Sequence, residues 1–171
     1  ELLGDAAERA AVTAEWLNQA KYPGSTINEA WKRFIYHQFH DDLTGTSIPR
    51  AYEFSWNDEL ISLKQFSNVL TSSIHGIGRE LDTRVSGIPV ILYNALGFAV
   101  TDIAEIELDL PKAPKGITVY DEKGKKVSAQ LISYTDGKAR ILVEATVPAT
   151  GYVVYDVRTS GTGASNVSTN V

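Results

Sequence analysis

Ile74-His75-Gly76-Ile77-Gly78-Arg79-Glu80-Leu81-Asp82-Thr83-Arg84-Val85-Ser86-Gly87-Ile88-Pro89-Val90-Ile91-Leu92-Tyr93 is the stretch in which the chain changes its period. Before it, apolar or small residues recur every three or four positions; after Val85-Ser86-Gly87 they alternate or run on without a polar break. Spacing of three and four lines one face of a helix, and spacing of two lines one face of a strand. The switch predicts an α+β chain. A three-helix bundle is expected over 1–86, followed by an antiparallel β-sheet or partial β-sandwich over 87–159. The small polar residues of 160–171 read as a flexible tail or linker.

Upstream of the switch, Leu60, Leu63, Ser67, Leu70, Ile74, Ile77 and Leu81 form a coiled-coil-like stripe. It predicts a long helix whose start signal is Ser55 with Asp58. Thr26 and Glu29 have the spacing of a capping box, which would open a second helix through Trp31, Phe34, Ile35 and Gln38. That helix is expected to end near Thr44-Gly45-Thr46, where glycine permits a turn. A first helix carries Leu3, Ala6, Ala7, Ala10, Ala14 and Leu17 on one face and is stopped by Pro23-Gly24.

Downstream, Val90–Tyr93 is a short apolar strand, and Ala104, Ile106, Leu108 and Leu110 alternate with Glu105, Glu107 and Asp109. Ile117–Tyr120 and Val127–Ile132 flank a turn at Asp121–Lys125. Leu131–Tyr134 and Ala139–Val143 flank Thr135-Asp136-Gly137-Lys138, where Asp-Gly favours a tight hairpin. Tyr152–Val157 is one more strand. Pairing between successive strands is the expected arrangement.

Composition narrows the function classes. Of 171 residues, 43% are hydrophobic and 22% charged, the balance of an ordinary globular chain. A net charge of −5 argues against nucleic acid or an anionic membrane as partner. No apolar run approaches the roughly 20 residues of a membrane span. A soluble protein is expected, cytoplasmic or periplasmic. The absence of cysteine excludes disulfides and cysteine-based zinc fingers, and the absence of methionine, even at position 1, suggests a segment of a longer protein.

The chemistry-bearing residues concentrate in Tyr36-His37-Gln38-Phe39-His40-Asp41-Asp42. Imidazole and carboxylate are zinc ligands, and a helix end beside a loop can place them in a cleft. The plainer reading makes His40 a favourable helix C-terminal residue, with Asp41 and Asp42 solvated. His37 lies one turn before His40 and reads as structural, Asp42 as exposed. Thr44-Gly45-Thr46 shapes the turn, and its hydroxyls could tie the loop that aims His40. Trp16, Trp31 and Trp56 suit the bundle core or helix ends better than sugar stacking, and His75 falls on the surface.

The longer string Trp31…Phe34-Ile35-Tyr36…Gln38-Phe39-His40-Asp41-Asp42-Leu43-Thr44-Gly45-Thr46-Ser47-Ile48, followed by Tyr52, resembles the middle-domain signature of the class II α-mannosidases, glycoside hydrolase family 38. Thr44 stands where many bacterial members have proline. Asn94-Ala95-Leu96 resembles a weaker Asn-Pro-Leu signature at the start of the family's β region, with alanine for proline. The resemblance implies a retaining, zinc-dependent hydrolysis of α-mannoside glycans. His40 matches the family's motif histidine, one ligand of the zinc, and Asp41 the adjacent aspartate that contacts mannose hydroxyls. The nucleophile, general acid and remaining zinc ligands belong to an N-terminal α/β domain with no counterpart here. The chain would then contain no catalytic residue, would lie between that domain and C-terminal β domains, and would be inactive alone. Two rival readings are a non-catalytic carbohydrate-binding or scaffold module and a His-Asp metal phosphohydrolase. The second requires an all-helical chain with more histidines than His37 and His75 supply.

Overall fold

The computed structural model describes residues 1–159; the tail expected over 160–171 lies outside them. The chain divides into a helical unit, Glu1–Leu81, and a β unit beginning at Asp82.

The helical unit comprises α1 (Leu2–Trp16), α2 (Gly24–Tyr36), the single turn α3 (His40–Leu43) and α4 (Pro49–Gly78). α1 buries a face of small residues: Gly4, Ala6, Ala7, Ala10, Ala11 and Ala14. Such a face lets α4 approach closely, and α4 answers with Ser55, Ser62, Phe66, Val69, Ser73, Gly76 and Ile77. Trp31 fills the space beside Phe66 with ring centroids 4.9 Å apart, and its indole N–H donates to Glu8 at 2.8 Å. The Ser62 hydroxyl satisfies the carbonyl of Ala30 at 2.9 Å, so this buried polar group has a partner.

The buried face of α4 is therefore not the expected leucine stripe. Leu60 is 67% exposed and Leu63 also faces outward, while only Ile77 of that series is fully buried. Leu63 sits one residue, about 100° of helix rotation, from the buried Ser62. The buried face sets Ser62, Ser73 and Gly76 among Phe66, Val69 and Ile77, while Leu60 and Leu63 lie outside it.

Helix boundaries also differ from the expected ones. α4 begins at Pro49, well before Ser55, because proline in the first turn needs no N–H partner and its fixed φ suits a helix. α2 begins at Gly24 without a side-chain cap, so the Thr26–Glu29 capping box does not form. α2 ends at Tyr36 rather than near Thr44, and α4 at Gly78 rather than Leu81. Among the described residues no helix is long and apolar enough to cross a membrane.

The β unit contains β1 (Ile88–Asn94), β2 (Val100–Asp109), β3 (Thr118–Tyr120), β4 (Lys126–Val127), β5 (Ala129–Thr135), β6 (Lys138–Val147) and β7 (Gly151–Arg158). They form two antiparallel sheets, ordered β1-β7-β3-β4 and β2-β6-β5. Ile106, Leu108, Ile141 and Val143 of one sheet share a buried cluster with Val119, Val153, Tyr155 and Val157 of the other. Glu105 and Glu107 point away from it and pair with Arg140 and Lys138. The β5–β6 hairpin turns on Asp136 (φ 52°) and Gly137 (φ 82°), the left-handed pair that Asp-Gly accommodates.

Among the described residues only β3–β4 and β5–β6 pair as neighbours in sequence. β1 pairs with β7 and β2 with β6, so the expected succession of hairpins is interrupted by crossings between sheets. The strand expected over Val127–Ile132 is broken at Ser128, which separates β4 in one sheet from β5 in the other.

The close α1–α4 packing makes a testable demand at Gly4. A Cβ there would lie 2.6 Å from Trp31 Cζ2 and 3.2 Å from Phe66 Cζ. Gly4→Val should destabilise the helical unit by about 1–3 kcal/mol, the cost of overpacking a filled core. Urea unfolding followed by helical circular dichroism measures it; an unchanged midpoint would show that the contact is loose.

Candidate functional site

The site is built where α2 stops. His37 is the C-terminal cap residue of α2, and Gln38 and Phe39 close the last turn by donating to Ile35 and Tyr36. Phe39 then takes an extended conformation (ψ 143°), which separates α3 from α2. Had one helix continued from Gly24 to Thr44, His37 and His40 would lie on one face. The break sends them in different directions: the His37 side chain is 6% exposed and that of His40 77%.

The loop after α3 is tied down by hydroxyls and backbone groups. Thr44 donates its hydroxyl to the carbonyl of His40 at 2.6 Å. The carbonyl of Asp41 accepts from the backbone N–H groups of Thr46 and Ser47, both at 3.1 Å, and from the Tyr52 hydroxyl at 3.2 Å. Tyr52 in turn accepts from the Ser47 N–H at 3.0 Å. Gly45 supplies the positive φ (76°) that reverses the chain between these contacts.

Beneath the loop lies a charged network. His37 Nδ1–H donates to Asp42 at 3.0 Å, and Nε2–H donates to Asp58 of α4 at 3.3 Å. Both ring nitrogens face carboxylates, which favours the doubly protonated imidazolium. Asp42 also accepts from the hydroxyls of Ser47 (3.1 Å) and Ser55 (3.2 Å), while Asp58 accepts from Arg33 at 3.0 Å. Burial lowers the His37 pKa, but the hydrogen bonds and charges of Asp42 and Asp58 outweigh it and raise the value. The His37 hydrogen bond is the main cause holding Asp42 below the usual carboxylate range, assisted by Ser47 and Ser55 against partial desolvation.

Asp42 is thus not the exposed residue expected from the sequence but the inward anchor of the turn. The supports from Arg33, Ser55 and Asp58 are not legible in the sequence, since contacts spanning α2 to α4 leave no local spacing to read. His40 and Asp41 do come together: His40 Nε2 lies 3.6 Å from Asp41 Oδ1, and the Asp41 side chain is 51% exposed. Phe39 and His40 rings stand 4.2 Å apart. Trp31 belongs to the core and Trp16 is exposed at the end of α1, but Trp56 is exposed within α4, neither core nor helix end. His75 is exposed.

As a metal site this arrangement is incomplete. Among the described residues no group of three or more His, Cys, Asp or Glu side chains is placed to hold an ion. An exposed imidazole on an ordered turn fits one ligand position of a zinc completed from elsewhere; it does not fit a self-contained zinc site, which uses at least three protein groups.

Residues 2–77 match the family model of the alpha mannosidase middle domain. Two crystal structures from Enterococcus faecalis resemble this chain in fold. An alpha-mannosidase from strain V583 is 19% identical with a TM-score of 0.77, the match covering 98% of this chain and 24% of that one. A protein of glycosyl hydrolase family 38 is 18% identical with a TM-score of 0.74, covering 98% and 26% respectively. This chain therefore spans about a quarter of the length of those proteins. No curated protein matches it.

The His37 network predicts a pH dependence with a definite sign. Because the folded pKa of His37 is raised above 6.5, its stabilisation is full below that pH and is lost as pH rises through the folded value. Because the Asp42 value is lowered below 3.8, its contribution is present above that pH and is lost on acidification through the folded value. Urea midpoints of wild type should therefore fall as the pH is raised above about 6.5, and those of His37→Gln should fall less. Parallel curves for the two proteins would contradict the assignment.

Proposed function

We propose that this chain, whose residues 2–77 belong to the alpha mannosidase middle domain family, is part of a longer zinc-dependent α-mannosidase that hydrolyses terminal α-mannosyl residues of glycans. In this reading 1–86 is the middle helical domain and 87–159 the start of the β region. An N-terminal α/β catalytic domain and further β domains of the same polypeptide complete the enzyme. The reaction retains configuration, with nucleophile and general acid supplied outside this chain.

The observation that carries the proposal is the exposure of His40 and Asp41 on a turn whose backbone is fixed by several hydrogen bonds. A side chain held in place but left open to solvent is arranged to meet something beyond its own unit. His40 offers one imidazole nitrogen as a ligand. Bound zinc would polarise and hold sugar hydroxyls, a Lewis-acid role distinct from making hydroxide. Asp41 accepts a hydrogen bond from a sugar hydroxyl, and as a carboxylate it makes that bond charge-assisted. With one ligand and no nucleophile, the chain alone is inactive.

Replacing His40 by alanine in the full-length enzyme should leave the helices intact, since its exposed side chain contributes no core packing, yet lower zinc content and collapse turnover. Asp41→Asn should keep zinc and lose on the order of 1–2 kcal/mol of transition-state binding, roughly ten- to thirtyfold in kcat/KM. Both are measured with an aryl α-mannoside alongside metal analysis. Full zinc and near-normal turnover in His40→Ala would reduce His40 to a residue of an exposed turn.

A further inference from the structure

The turn that carries His40 and Asp41 has four residues, too short to stand as a helix by itself, since one turn does not recover the cost of nucleation. Nor is it packed in place: His40 and Leu43 are exposed, and the Asp41 side chain is half exposed. Its one inward side chain is Asp42, 17% exposed. The direction of α3 is therefore set by two holds from outside the loop, the Tyr52 hydroxyl of α4 on the Asp41 carbonyl and the donors that reach the Asp42 carboxylate.

Three donors reach that carboxylate, and they are not equivalent. Ser47 belongs to the same loop and moves with it. Ser55 lies on α4, but its hydroxyl is also within reach of the Ala51 carbonyl at 3.1 Å, and one hydroxyl hydrogen cannot serve both fully. His37 alone brings an undivided N–H from outside the loop. Its ring cannot turn freely, because the opposite nitrogen is engaged by Asp58, and Asp58 is in turn paired with Arg33 across α2 and α4. The imidazole is a strut between the long helices and the short turn.

We infer that His37 is a positioning residue: by gripping Asp42 it fixes the direction in which the His40 imidazole and the Asp41 carboxylate project. The inference rests on the reading of His40 as a zinc ligand and Asp41 as a sugar contact. His37 touches neither metal nor sugar and acts through Asp42. Glutamine at this position reaches one carboxylate but cannot bridge two on opposite edges of a ring.

The test uses the full-length enzyme carrying this chain, with His37→Gln, His37→Ala, Asp42→Asn, the double variant His37→Ala/Asp42→Ala and its Asp42→Ala parent. Zinc affinity is read by chelator competition, and local order by hydrogen exchange of peptides spanning residues 38–48. His37→Gln should weaken zinc by about tenfold, the low end of the cost of losing a direct outer partner of a ligand, because His37 acts through Asp42. Exchange should accelerate in residues 38–48 and stay unchanged in α1. The double variant should bind zinc about as well as the weaker single one, because both changes cut the same link. Unchanged zinc affinity and exchange, or exchange that rises equally in α1, would overturn the inference in favour of general stability. Should His37→Ala fail to fold, Asp42→Asn carries the same expectation with almost no change of shape. His40→Ala separates the two claims. If it retains zinc, the ligand reading fails. If it loses zinc while His37→Gln does not, only the positioning role fails.

Discussion

An imidazole held at both nitrogens by carboxylates is the interaction on which the site depends. Asp42 and Asp58 come from a short turn and a long helix, and the His37 ring bridges them. Removing one member of this part-buried set leaves the charge it faced without that partner. Arg33 adds the compensating cation on the far side of Asp58, so the network alternates in sign from helix to helix. It also shows why a histidine suits the end of α2. The ring spans two acceptors, its charge favours the helix C-terminus, and its small size lets it sit below the turn.

A second constraint is the small-residue contact between α1 and α4. Alanines and glycine on one helix, with serines and glycine among Phe66, Val69 and Ile77 on the other, let the two helices pack closely. Trp31 and Phe66 pack in a bulky cluster with Ile27 and Val69, and Ser62 ties α4 to the backbone of α2 at Ala30. α4 is thereby fixed against α2 along its length, so Asp58 and Ser55 are presented to the turn from a rigid support. Packing far from His40 is in this way transmitted to its position.

The change of period at Gly87 was readable because it depends only on neighbouring residues. The alternation at Ala104–Leu110 and the Asp136-Gly137 turn correspond to β2 and to the β5–β6 hairpin. Strand partners were not readable, since β1–β7 pairing joins residues some sixty positions apart and no local signal encodes it. The leucine stripe misled because hydrophobicity marks a face as apolar without saying which face the neighbour can approach. For the site, the motif residues were legible from their order. The end of α2 at Tyr36 was not: nothing between Tyr36 and Phe39 is a helix breaker, and the turn exists because Asp42, His37 and Asp58 meet in three dimensions.

Taken together, the inward clamp and the outward pair divide the motif into a supporting half and a presenting half, and the presenting half lacks the ligands to act alone. The central claim is that His40 completes a zinc site formed with another part of a longer polypeptide. Anomalous X-ray scattering at the zinc edge from crystals of the full-length protein tests it directly. The account predicts an anomalous peak about 2.0–2.1 Å from a ring nitrogen of His40, with the remaining ligands drawn from outside residues 1–159. A zinc peak distant from His40, with its ring left in solvent, would contradict it.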